Sequence, residues 1–489
     1  MKGIYKFLPF RFTRINDSVL LANDVGDYYF LKEKTFKQFV KKQIDINSQD
    51  YFDLQSKFMA YHEYLPETID LLATRYRTKK RFLYDFTSLH MFVVTHRCNN
   101  KCSYCHASSD DESLSKEYDM NLETAKKCVN LAFQSPSSNI KIEFQGGEPL
   151  LAFDAVKNIV EYANEINETI KKNVDFVICT NLTTITSSQM DYLKKNNILI
   201  STSLDGPPEI HDKCRRTRRD TNTHYMVIEN LSWAMNILGR DKVTALTTVT
   251  PYNINKLHDV IDEYLRHGLI SIFLRMINPY GSAIKNWDTI GYTHDEFVKY
   301  YKEALDYIIQ LNIAGQYFPE EFATLLLTKI MTPFATGFVD LQSPTGVGIG
   351  GVIYEVNGDV FAADEARMLA KMTGDKTFCL GNAHTDSWHK IFCSPKLKSI
   401  VSNSCIEAIP GCAWCVYQPY CGNDPIRNHT QHGHFIGNSA RTDFCHKHKA
   451  IFNIIFEYLQ RNDSSIINVF WSWVTRRNTF EMNNNIISS

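Results

Sequence analysis

The sequence has no long hydrophobic run and no excess of charge of either sign. No stretch approaches the roughly 18 consecutive apolar residues of a membrane helix, and no basic start is followed by the apolar segment of a secretory signal. The 53 Lys and Arg residues nearly balance the 54 Asp and Glu residues, so both a basic footprint for nucleic acid and an acidic tail are missing. We therefore expect a cytoplasmic protein with neither a nucleic-acid nor a membrane partner.

The remaining composition is that of an ordinary globular protein with many cysteines. At 489 residues, 44% hydrophobic and 22% charged, the chain has room for about three domains of roughly 150 residues. It contains 13 cysteines, an odd number that cluster at short spacings. In a chain without a secretory signal, this pattern indicates metal or cluster ligands rather than disulfides.

Three cysteines lie close together near residue 100. Cys98, Cys102 and Cys105 have C-x3-C-x2-C spacing directly after an apolar run. Three thiolates at this spacing can each hold one iron of a cubane and leave the fourth iron open to a bidentate small molecule. The alternatives are three inert buried thiols, or a zinc site completed by His96 or His106.

Strand and helix patterns alternate through the middle of the chain. Apolar strand-like runs recur at 90–95, 140–144, 176–180, 198–203, 243–249 and 271–276, with helical patterns at 121–133, 153–171, 187–195, 225–238 and 254–267. This alternation predicts a parallel sheet of six β-α units forming an open barrel. The active site of such a barrel lies at the carboxyl ends of the strands.

Polar motifs follow three of these strands. They are Gly146-Gly147-Glu148-Pro149, Thr180-Asn181 and Ser203-Leu204-Asp205-Gly206-Pro207, the last followed by His211-Asp212 and Arg215. Glycines allow a backbone to approach a ligand, and Glu148 can accept from an ammonium group. Arg215 can bind a carboxylate bidentately, although Arg216, Arg218 and Arg219 are close enough to replace it. The alternatives are a plain glycine-rich turn and a solvated basic loop.

A second group of cysteines occurs after residue 400. A hairpin is predicted over 352–362, and beyond it Cys412, Cys415, Cys421 and Cys445 offer four thiolates. Four thiolates can ligate a second cubane completely or form a tetrathiolate zinc site, and Cys405 is an alternative ligand. The other cysteines, Cys128, Cys179, Cys214, Cys379 and Cys393, are interpreted as packing or incidental thiols. Arg275, on the last strand, either faces the barrel interior or pairs with a carboxylate.

Taken together, the first cysteine triplet and the two glycine-containing motifs resemble the radical S-adenosylmethionine (SAM) family over about residues 90–450. The resemblance implies an α/β fold with a partial (β/α)6 barrel, a [4Fe-4S] cluster on the triplet, and SAM bound to the open iron. The residues that the resemblance assigns to the cofactor are Tyr104, Gly146, Gly147, Glu148, Asn181, Ser203, Asp205 and Arg215.

The later cysteines resemble the SPASM domain found in peptide-modifying members of that family. Ala363 and Pro425 stand where that pattern has cysteines, and no cysteine occurs from 342 to 348. The resemblance therefore implies one auxiliary [4Fe-4S] cluster, on Cys412, Cys415, Cys421 and Cys445, instead of two. In sulfatase-maturing relatives an aspartate near this place acts as a base, which implies a catalytic role for Asp364.

Residues 1–88 show three strand-like runs followed by two helical patterns, at 35–43 and 48–64. The order resembles winged-helix elements that bind leader peptides; a simple capping domain is the alternative. We predict five segments: a winged-helix-like domain (1–88), the barrel (89–300), a helical bridge (301–340), a SPASM-like domain (341–460) and a C-terminal extension (461–489) with a disordered tail at 483–489.

The function implied is that of a peptide maturase, most like the His-Xaa-Ser system subgroup. Such an enzyme cleaves SAM reductively, and the resulting 5′-deoxyadenosyl radical abstracts hydrogen from a ribosomally made peptide or protein. The implied partners are the substrate, an electron donor such as flavodoxin or ferredoxin, and a second maturase of the same system. The alternatives are an anaerobic sulfatase maturase, which makes formylglycine, and a non-catalytic zinc or iron–sulfur scaffold that binds peptides.

Overall fold

The structure, a computed structural model, describes residues 5–63, 66–107, 109–438 and 441–478. The predicted disordered tail, 483–489, lies outside the described residues. None of the described helices is both long enough and apolar enough to cross a membrane.

The strands and helices are numbered in chain order. The strands are β1 (Lys6–Phe7), β2 (Phe10–Ile15), β3 (Ser18–Asn23), β4 (Tyr28–Lys32), β5 (Ala60–Tyr61), β6 (Leu89–Thr95), β7 (Arg97–Cys98), β8 (Asp110–Asp111), β9 (Asn139–Gly146), β10 (Asn173–Cys179), β11 (Leu199–Ser203), β12 (Val243–Val249), β13 (Leu274–Met276), β14 (Gly351–Tyr354), β15 (Asp359–Phe361) and β16 (Cys379–Asn382). The helices are α1 (Glu33–Val40), α2 (Gln49–Ser56), α3 (Pro66–Lys79), α4 (Phe82–Asp85), α5 (Leu122–Phe133), α6 (Phe153–Ile170), α7 (Ser187–Lys195), α8 (Pro208–Cys214), α9 (His224–Leu238), α10 (Leu257–Arg266), α11 (Ser282–Lys285), α12 (Trp287–Ile290), α13 (His294–Ile313), α14 (Glu321–Met331), α15 (Asp364–Thr373), α16 (Trp388–Phe392), α17 (Pro395–Ser402), α18 (Pro425–His432), α19 (Asp443–Arg461) and α20 (Ser464–Thr475).

The described strands include a nine-stranded sheet in the order β13-β12-β11-β10-β9-β6-β14-β15-β16. Its strands β6 and β9 to β13 are mutually parallel and adjacent in chain order, which confirms the predicted partial (β/α)6 barrel. Two of the helices between them begin at polar caps: the side chain of Asn121 accepts from Thr124 N before α5, and Thr186 forms a capping box with Gln189 before α7.

The predicted hairpin over 352–362 is present as β14 and β15, and it joins the barrel sheet. Strand β14 pairs in parallel with β6, with Gly351 opposite Leu89 and Tyr354 opposite Phe92. Strand β15 is antiparallel to both β14 and β16. The hairpin therefore extends the barrel sheet beside its first strand, a pairing between segments about 260 residues apart that local patterns cannot reveal.

The N-terminal segment contains the predicted strands and then helices. Strands β2, β3 and β4 form an antiparallel sheet, and α1 and α2 pack on it through buried residues that include Phe39 and Leu54. The second predicted helix is shorter than expected, because Phe58 adopts a positive φ of 54° and ends it. The chain then forms β5, which pairs with β1.

The described chain divides into two compact units. The terminal unit comprises Met1–Leu83, Ala323–Gly346 and Val401–Ser489, and the barrel unit comprises Tyr84–Phe322 and Val347–Ile400. The cysteine triplet belongs to the barrel unit, and the four later cysteines belong to the terminal unit. The five domain boundaries drawn from the sequence stay predictions.

Candidate functional site

The cysteine triplet lines a cavity of about 400 Å³ in the barrel unit. Cys98, Cys102 and Cys105 all border this cavity, and burial together with the two other thiols raises the pKa of Cys98. Because the triplet follows β6 and the cavity is also lined by Asn181, Ser203 and Thr248, the site lies at the carboxyl ends of the parallel strands, as expected.

The loop that carries the triplet is held by backbone and arginine contacts. Arg218 donates to the carbonyl oxygens of Cys98 (2.8 Å), Ser109 (2.8 Å) and Asp110 (2.7 Å), and the Ser103 amide donates to the Cys214 carbonyl at 3.0 Å. These contacts fix the path of the backbone without using the cysteine sulfurs. The three thiols are therefore placed before any ligand binds.

Donor groups surround the sulfurs. The Asn100 amide lies 3.4 Å and Asn181 Nδ2 3.8 Å from Cys98 Sγ, and Arg215 Nη1 lies 4.0 Å from Cys102 Sγ. Burial raises the pKa of Cys102 to about 12 against the lowering effect of the Arg215 charge, so this sulfur is a thiol without a metal. Iron binding displaces such protons, and the donors then stabilise the thiolates. The donor set therefore fits an iron–sulfur cluster.

Gly146 and Gly147 allow two chain segments to approach each other. A Cβ on Gly146, whose φ is +133°, would overlap the carbonyl oxygen of Thr95, and a Cβ on Gly147 would overlap that of Arg97. The amides of Gly147 and Glu148 donate to these two oxygens at 2.8 Å. Both glycines also line the cavity, so they bring the end of β9 against the start of the cysteine loop.

Glu148 is fully buried and is not among the described residues that line the cavity. Its carboxylate accepts from Thr180 Oγ1 (2.6 Å), the Asn181 amide (2.7 Å) and the Leu150 amide (3.0 Å). Burial raises its pKa to about 7, against the lowering effect of these donors. Glu148 thus contacts the cavity only through Asn181 and Thr180, which do line it.

Asp205 lies behind the cavity and positions two residues that line it. Its carboxylate is fully buried. It accepts hydrogen bonds from Tyr104 Oη at short distance, from Arg215 Nε at 2.9 Å and from the Thr248 amide at 3.1 Å. The Arg215 guanidinium also lies 5.2 Å from the Tyr104 ring centroid. Tyr104, Arg215 and Asp205 form one buried group, of which the first two face the cavity.

The structure distinguishes the four candidate arginines. Arg215 is the one that lines the cavity. Arg216 pairs with Asp220 at 2.5 Å, Arg218 holds the cysteine loop, and the Arg219 side chain is 87% exposed. Among these four described side chains, Arg215 is therefore the candidate carboxylate ligand.

Asp364 also lines the cavity, as the first residue of α15. Its side chain is only 21% exposed. Its Oδ2 lies 3.4 Å from His106 Nε2, and its Oδ1 lies 3.0 Å from Arg367. Burial lowers the pKa of His106 to about 4, so this imidazole is neutral near pH 7.

The two histidines considered as zinc ligands face carboxylates. His96 Nε2 lies 2.6 Å from Glu355, which also pairs with Arg367 at 3.0 Å, and His106 faces Asp364. Burial would raise the pKa of Glu355, but the His96 hydrogen bond and the Arg367 charge outweigh it and lower that pKa to about 2. No group of three His, Cys, Asp or Glu side chains in the described part of the chain is placed to hold a single metal ion. A cubane makes a different demand, since each sulfur binds a separate iron.

The sequence interpretation missed several residues that line the cavity. Cys179, interpreted as an incidental thiol, is one of them, and its Sγ donates to Glu143 at 3.3 Å. Glu143 and Gln145, which the sequence interpretation did not assign to the site, line the cavity as well, and Arg275 on the last strand lines it too. Cys179, Glu143 and Gln145 lie in the carboxyl-terminal half of their barrel strands. Inspection of every strand end in the sequence would have found them.

The four later cysteines also share one cavity, of about 30 Å³, in the terminal unit. Cys412, Cys415, Cys421 and Cys445 border it, and burial together with the neighbouring thiols raises the pKa of Cys412 and Cys421 to about 12. Cys405, the alternative ligand, does not border it among the described lining residues; its thiol donates to the Val401 carbonyl at 3.6 Å. Four thiols that border one cavity fit a cubane, in which each sulfur binds a separate iron; within the described residues no three of them are placed to hold a single zinc ion.

A second small cavity lies on the other side of Cys421. It is about 30 Å³, and its lining includes Cys421, Gln418 and the ammonium-bearing residues Lys79, Lys80 and Lys329. Burial lowers the pKa of both Lys79 and Lys329 to about 7. Two lysine amines therefore stand next to the four-cysteine site, and burial disfavours their protonated forms unless an anion lies near them.

Comparison with known proteins agrees with this geometry. The profile of the radical SAM superfamily matches residues 92–264. The cysteine-type anaerobic sulfatase-maturating enzyme of Clostridium novyi (strain NT) is 24% identical over 383 residues, which are 75% of this chain and 94% of the relative.

Two solved structures share the fold. Native anSMEcpe with bound AdoMet superimposes with a TM-score of 0.62 at 20% identity and covers 78% of this chain and 99% of its own. SuiB of Streptococcus suis, bound to its precursor peptide SuiA, superimposes with a TM-score of 0.52 at 13% identity and covers 90% of this chain and 100% of its own. At these identities the likeness concerns the fold.

Proposed function

We propose, on the premise that residues 92–264 form a radical SAM domain, that the chain is a radical SAM enzyme that modifies a ribosomally made peptide or protein. A radical SAM domain implies a [4Fe-4S] cluster and SAM as cofactors, which together supply the hydrogen-abstracting chemistry when bound. The observation that carries the proposal is the shared cavity of Cys98, Cys102, Cys105 and Asp364 at the carboxyl ends of the barrel strands.

The chain's own residues would bind and orient these cofactors. The cysteine triplet would hold three irons of the cluster, and Arg215, anchored by Asp205, would bind the SAM carboxylate. Ser203 and Asn181 would donate to the same ligand from neighbouring strands, since both line the cavity. Glu148 would position Asn181 through its amide.

A peptide substrate is supported by the fold. SuiB, with the same fold, is described with its precursor peptide SuiA, and the described N-terminal segment has the strand and helix order of a winged-helix element. Strands β2 and β4 are the outer strands of its sheet, and an extended leader can bind such an edge as an added strand. We propose that the leader binds there and that the core of the peptide enters the barrel cavity.

The activity can be tested without knowing the substrate. The anaerobically purified full chain, mixed with SAM and dithionite, should release 5′-deoxyadenosine, measured by chromatography and mass spectrometry. Cys102→Ala should release none, because the triplet loses one of three ligands. Cys393→Ala is the matched control, since Cys393 belongs to the same unit but does not line the described cavity, and it should keep the activity.

A non-catalytic scaffold predicts the opposite result. Full chain that contains iron but yields no 5′-deoxyadenosine would overturn the enzyme proposal. Where the activity is present, co-expression with short peptides encoded by neighbouring genes, followed by mass spectrometry of those peptides, tests for a modified residue.

A sulfatase-maturase function is the second candidate. It is favoured by the 94% coverage of the Clostridium novyi enzyme and by Asp364, an aspartate in the cavity. A peptide carrying a single Cys would then lose its thiol and gain an aldehyde, which a hydrazide reagent detects. Formation of the aldehyde by the wild type and not by Cys102→Ala would favour this candidate over the peptide maturase.

For the terminal unit, we propose that Cys412, Cys415, Cys421 and Cys445 bind one auxiliary [4Fe-4S] cluster. Four cysteines complete all four iron positions, so this cluster would carry electrons and leave no iron open to SAM. Flavodoxin or ferredoxin is the class of electron donor that the proposed reaction requires.

A further inference from the structure

Two buried lysines stand next to the four-cysteine site without a carboxylate partner. Lys79, from α3, and Lys329, from α14, are each only 8% exposed. Both line the small cavity that includes Cys421 and Gln418, and these two residues also line the four-cysteine cavity. Cys421 and Gln418 thus border both the cavity of the four cysteines and the cavity of the two lysines.

The acidic groups near these lysines are paired with other cations. Asp27 pairs with Arg75 at 2.6 Å, Glu407 with Lys80 at 2.5 Å and Asp24 with Arg11 at 2.6 Å. Within the described residues, neither Lys79 nor Lys329 has a carboxylate at ion-pair distance. Their hydrogen bonds go to neutral carbonyls, from Lys79 Nζ to Val25 O at 3.1 Å and from Lys329 Nζ to Leu341 O.

The backbone makes room for these ammonium groups. A Cβ on Gly26 would overlap Lys79 Nζ, so this glycine leaves room for the ammonium group in its present position. Lys79 Nζ also lies 5.1 Å from the ring centroid of Tyr420, the neighbour of Cys421. A Cβ on Gly422 would overlap Asp340 O, so the backbone after Cys421 lies directly against residue 340. The next carbonyl, Leu341 O, accepts the hydrogen bond from Lys329.

An unpaired buried cation is costly unless an anion lies near it. A cubane held by four thiolates is such an anion, since the thiolates outnumber the positive charges of its core. Reduction adds one more negative charge, and buried cations stabilise that form more because a low dielectric screens them little. Net charge near a cluster is one of the terms that set its reduction potential.

We propose that Lys79 and Lys329 are the counter-charges of the auxiliary cluster and raise its reduction potential. The inference rests on the proposed presence of that cluster. Lys79 and Lys329 touch neither the substrate nor SAM in this proposal, and they act through the cluster that Cys421 helps to bind.

The test is a potentiometric titration of the auxiliary cluster in the full chain. Cys98, Cys102 and Cys105 are first replaced by Ala, so that any remaining iron–sulfur signal comes from the terminal unit. The midpoint potential of this parent is measured by dithionite titration with EPR detection of the reduced cluster. The same measurement is then made on parents that also carry Lys329→Met, Lys79→Met or Lys329→Arg.

Each Met variant should have a more negative midpoint potential than the parent, by at least a tenfold change in the one-electron equilibrium, which corresponds to 59 mV. Lys329→Arg keeps the charge and should stay close to the parent, which separates the effect of charge from that of packing. Lys37→Met is the matched control: its side chain is 67% exposed in the same unit, and solvent and salt screen its charge.

Unchanged midpoints in both Met variants, with iron content equal to the parent, would overturn the inference while leaving the auxiliary cluster in place. An equal shift in Lys37→Met would overturn it as well. A parent with no iron–sulfur signal and one bound zinc would instead remove the auxiliary cluster, and the inference with it, while leaving 5′-deoxyadenosine release by the wild type as a separate result.

Discussion

At the scale of single residues, the side chains that line the barrel cavity are held in place by buried charged residues. Asp205 binds Tyr104 and Arg215. Arg367 pairs with both Glu355 and Asp364. Buried ion pairs contribute little net stability, but they hold side chains in one position. The residues that face the cavity are therefore preorganised, which an active site requires.

Glu148 gives a pH dependence of stability. Its folded pKa, raised from 4.5 to about 7 by burial, means that between these pH values the folded chain keeps a proton that the unfolded chain loses. Stability from this group is therefore present below about pH 4.5 and is lost as the pH rises through about 7. In urea titrations of the metal-free chain, the free energy of unfolding of the wild type relative to Glu148→Gln should fall by roughly 2 kcal/mol between about pH 5 and pH 8.

The control for this prediction is Glu209→Gln, at an exposed position on α8. Its stability difference from the wild type should stay constant over the same pH range. A difference between wild type and Glu148→Gln that does not change with pH would contradict the prediction.

Asp364 is the residue on which the chemistry of the substrate is expected to depend. If Asp364 is the base that takes a proton from the substrate, the substitution Asp364→Asn should lower product formation by roughly 10² to 10⁴-fold. Release of 5′-deoxyadenosine should continue, because the cofactor contacts proposed above do not include Asp364. Both products are measured by mass spectrometry in one reaction.

Glu365→Gln is the neighbouring control, since Glu365 also belongs to the first turn of α15 but does not line the described cavity. It should keep product formation near the wild-type rate. Unchanged product formation by Asp364→Asn, with unchanged iron content, would reject the role.

At the scale of elements, the site depends on how closely strand ends approach each other. The end of β9 contacts the loop after β6 through backbone hydrogen bonds of 2.8 Å from Gly147 and Glu148. Strand β14 extends the same sheet on the other side of β6, and α15 follows that hairpin with Asp364 at its start. The cavity is thus bounded by elements from both ends of the barrel unit's sequence.

Gly146→Ala tests the close approach of these strand ends. Gly146 combines a φ of +133° with overlap between an added Cβ and Thr95 O, so the free energy of unfolding should fall by more than about 2 kcal/mol. Gly374→Ala is the matched control: its φ is +76°, but an added Cβ would meet nothing within 4 Å. It should cost only the backbone strain of about 1 kcal/mol, and equal losses in urea titrations of both variants would show that the approach is not tight.

At the scale of the whole molecule, the two cysteine sets belong to separate compact units. Cluster binding by one set therefore does not require ligands from the other. In the proposed function, the barrel unit carries the SAM-binding cluster and the terminal unit carries the auxiliary cluster.

Metal analysis of the anaerobically purified chain tests this division. The wild type should contain roughly eight irons; Cys98→Ala and Cys412→Ala should each lose roughly half of them, from different clusters. Only Cys98→Ala should abolish 5′-deoxyadenosine release in the presence of excess dithionite. Roughly four irons and one zinc in the wild type would remove the auxiliary cluster and support the tetrathiolate zinc.

The sequence by itself determined the alternation of strands and helices, the spacing of the cysteine triplet and the order of the polar motifs, because these are local patterns of burial, turn and ligand chemistry. From them the barrel and the cysteine-bearing end of its sheet could be predicted. Only the tertiary structure decided that Arg215 and not its neighbours lines the cavity, that the later hairpin pairs with β6, and that Lys79 and Lys329 meet beside Cys421. Each of these depends on contacts between residues distant in the chain, and spacing along a sequence carries no information about such contacts.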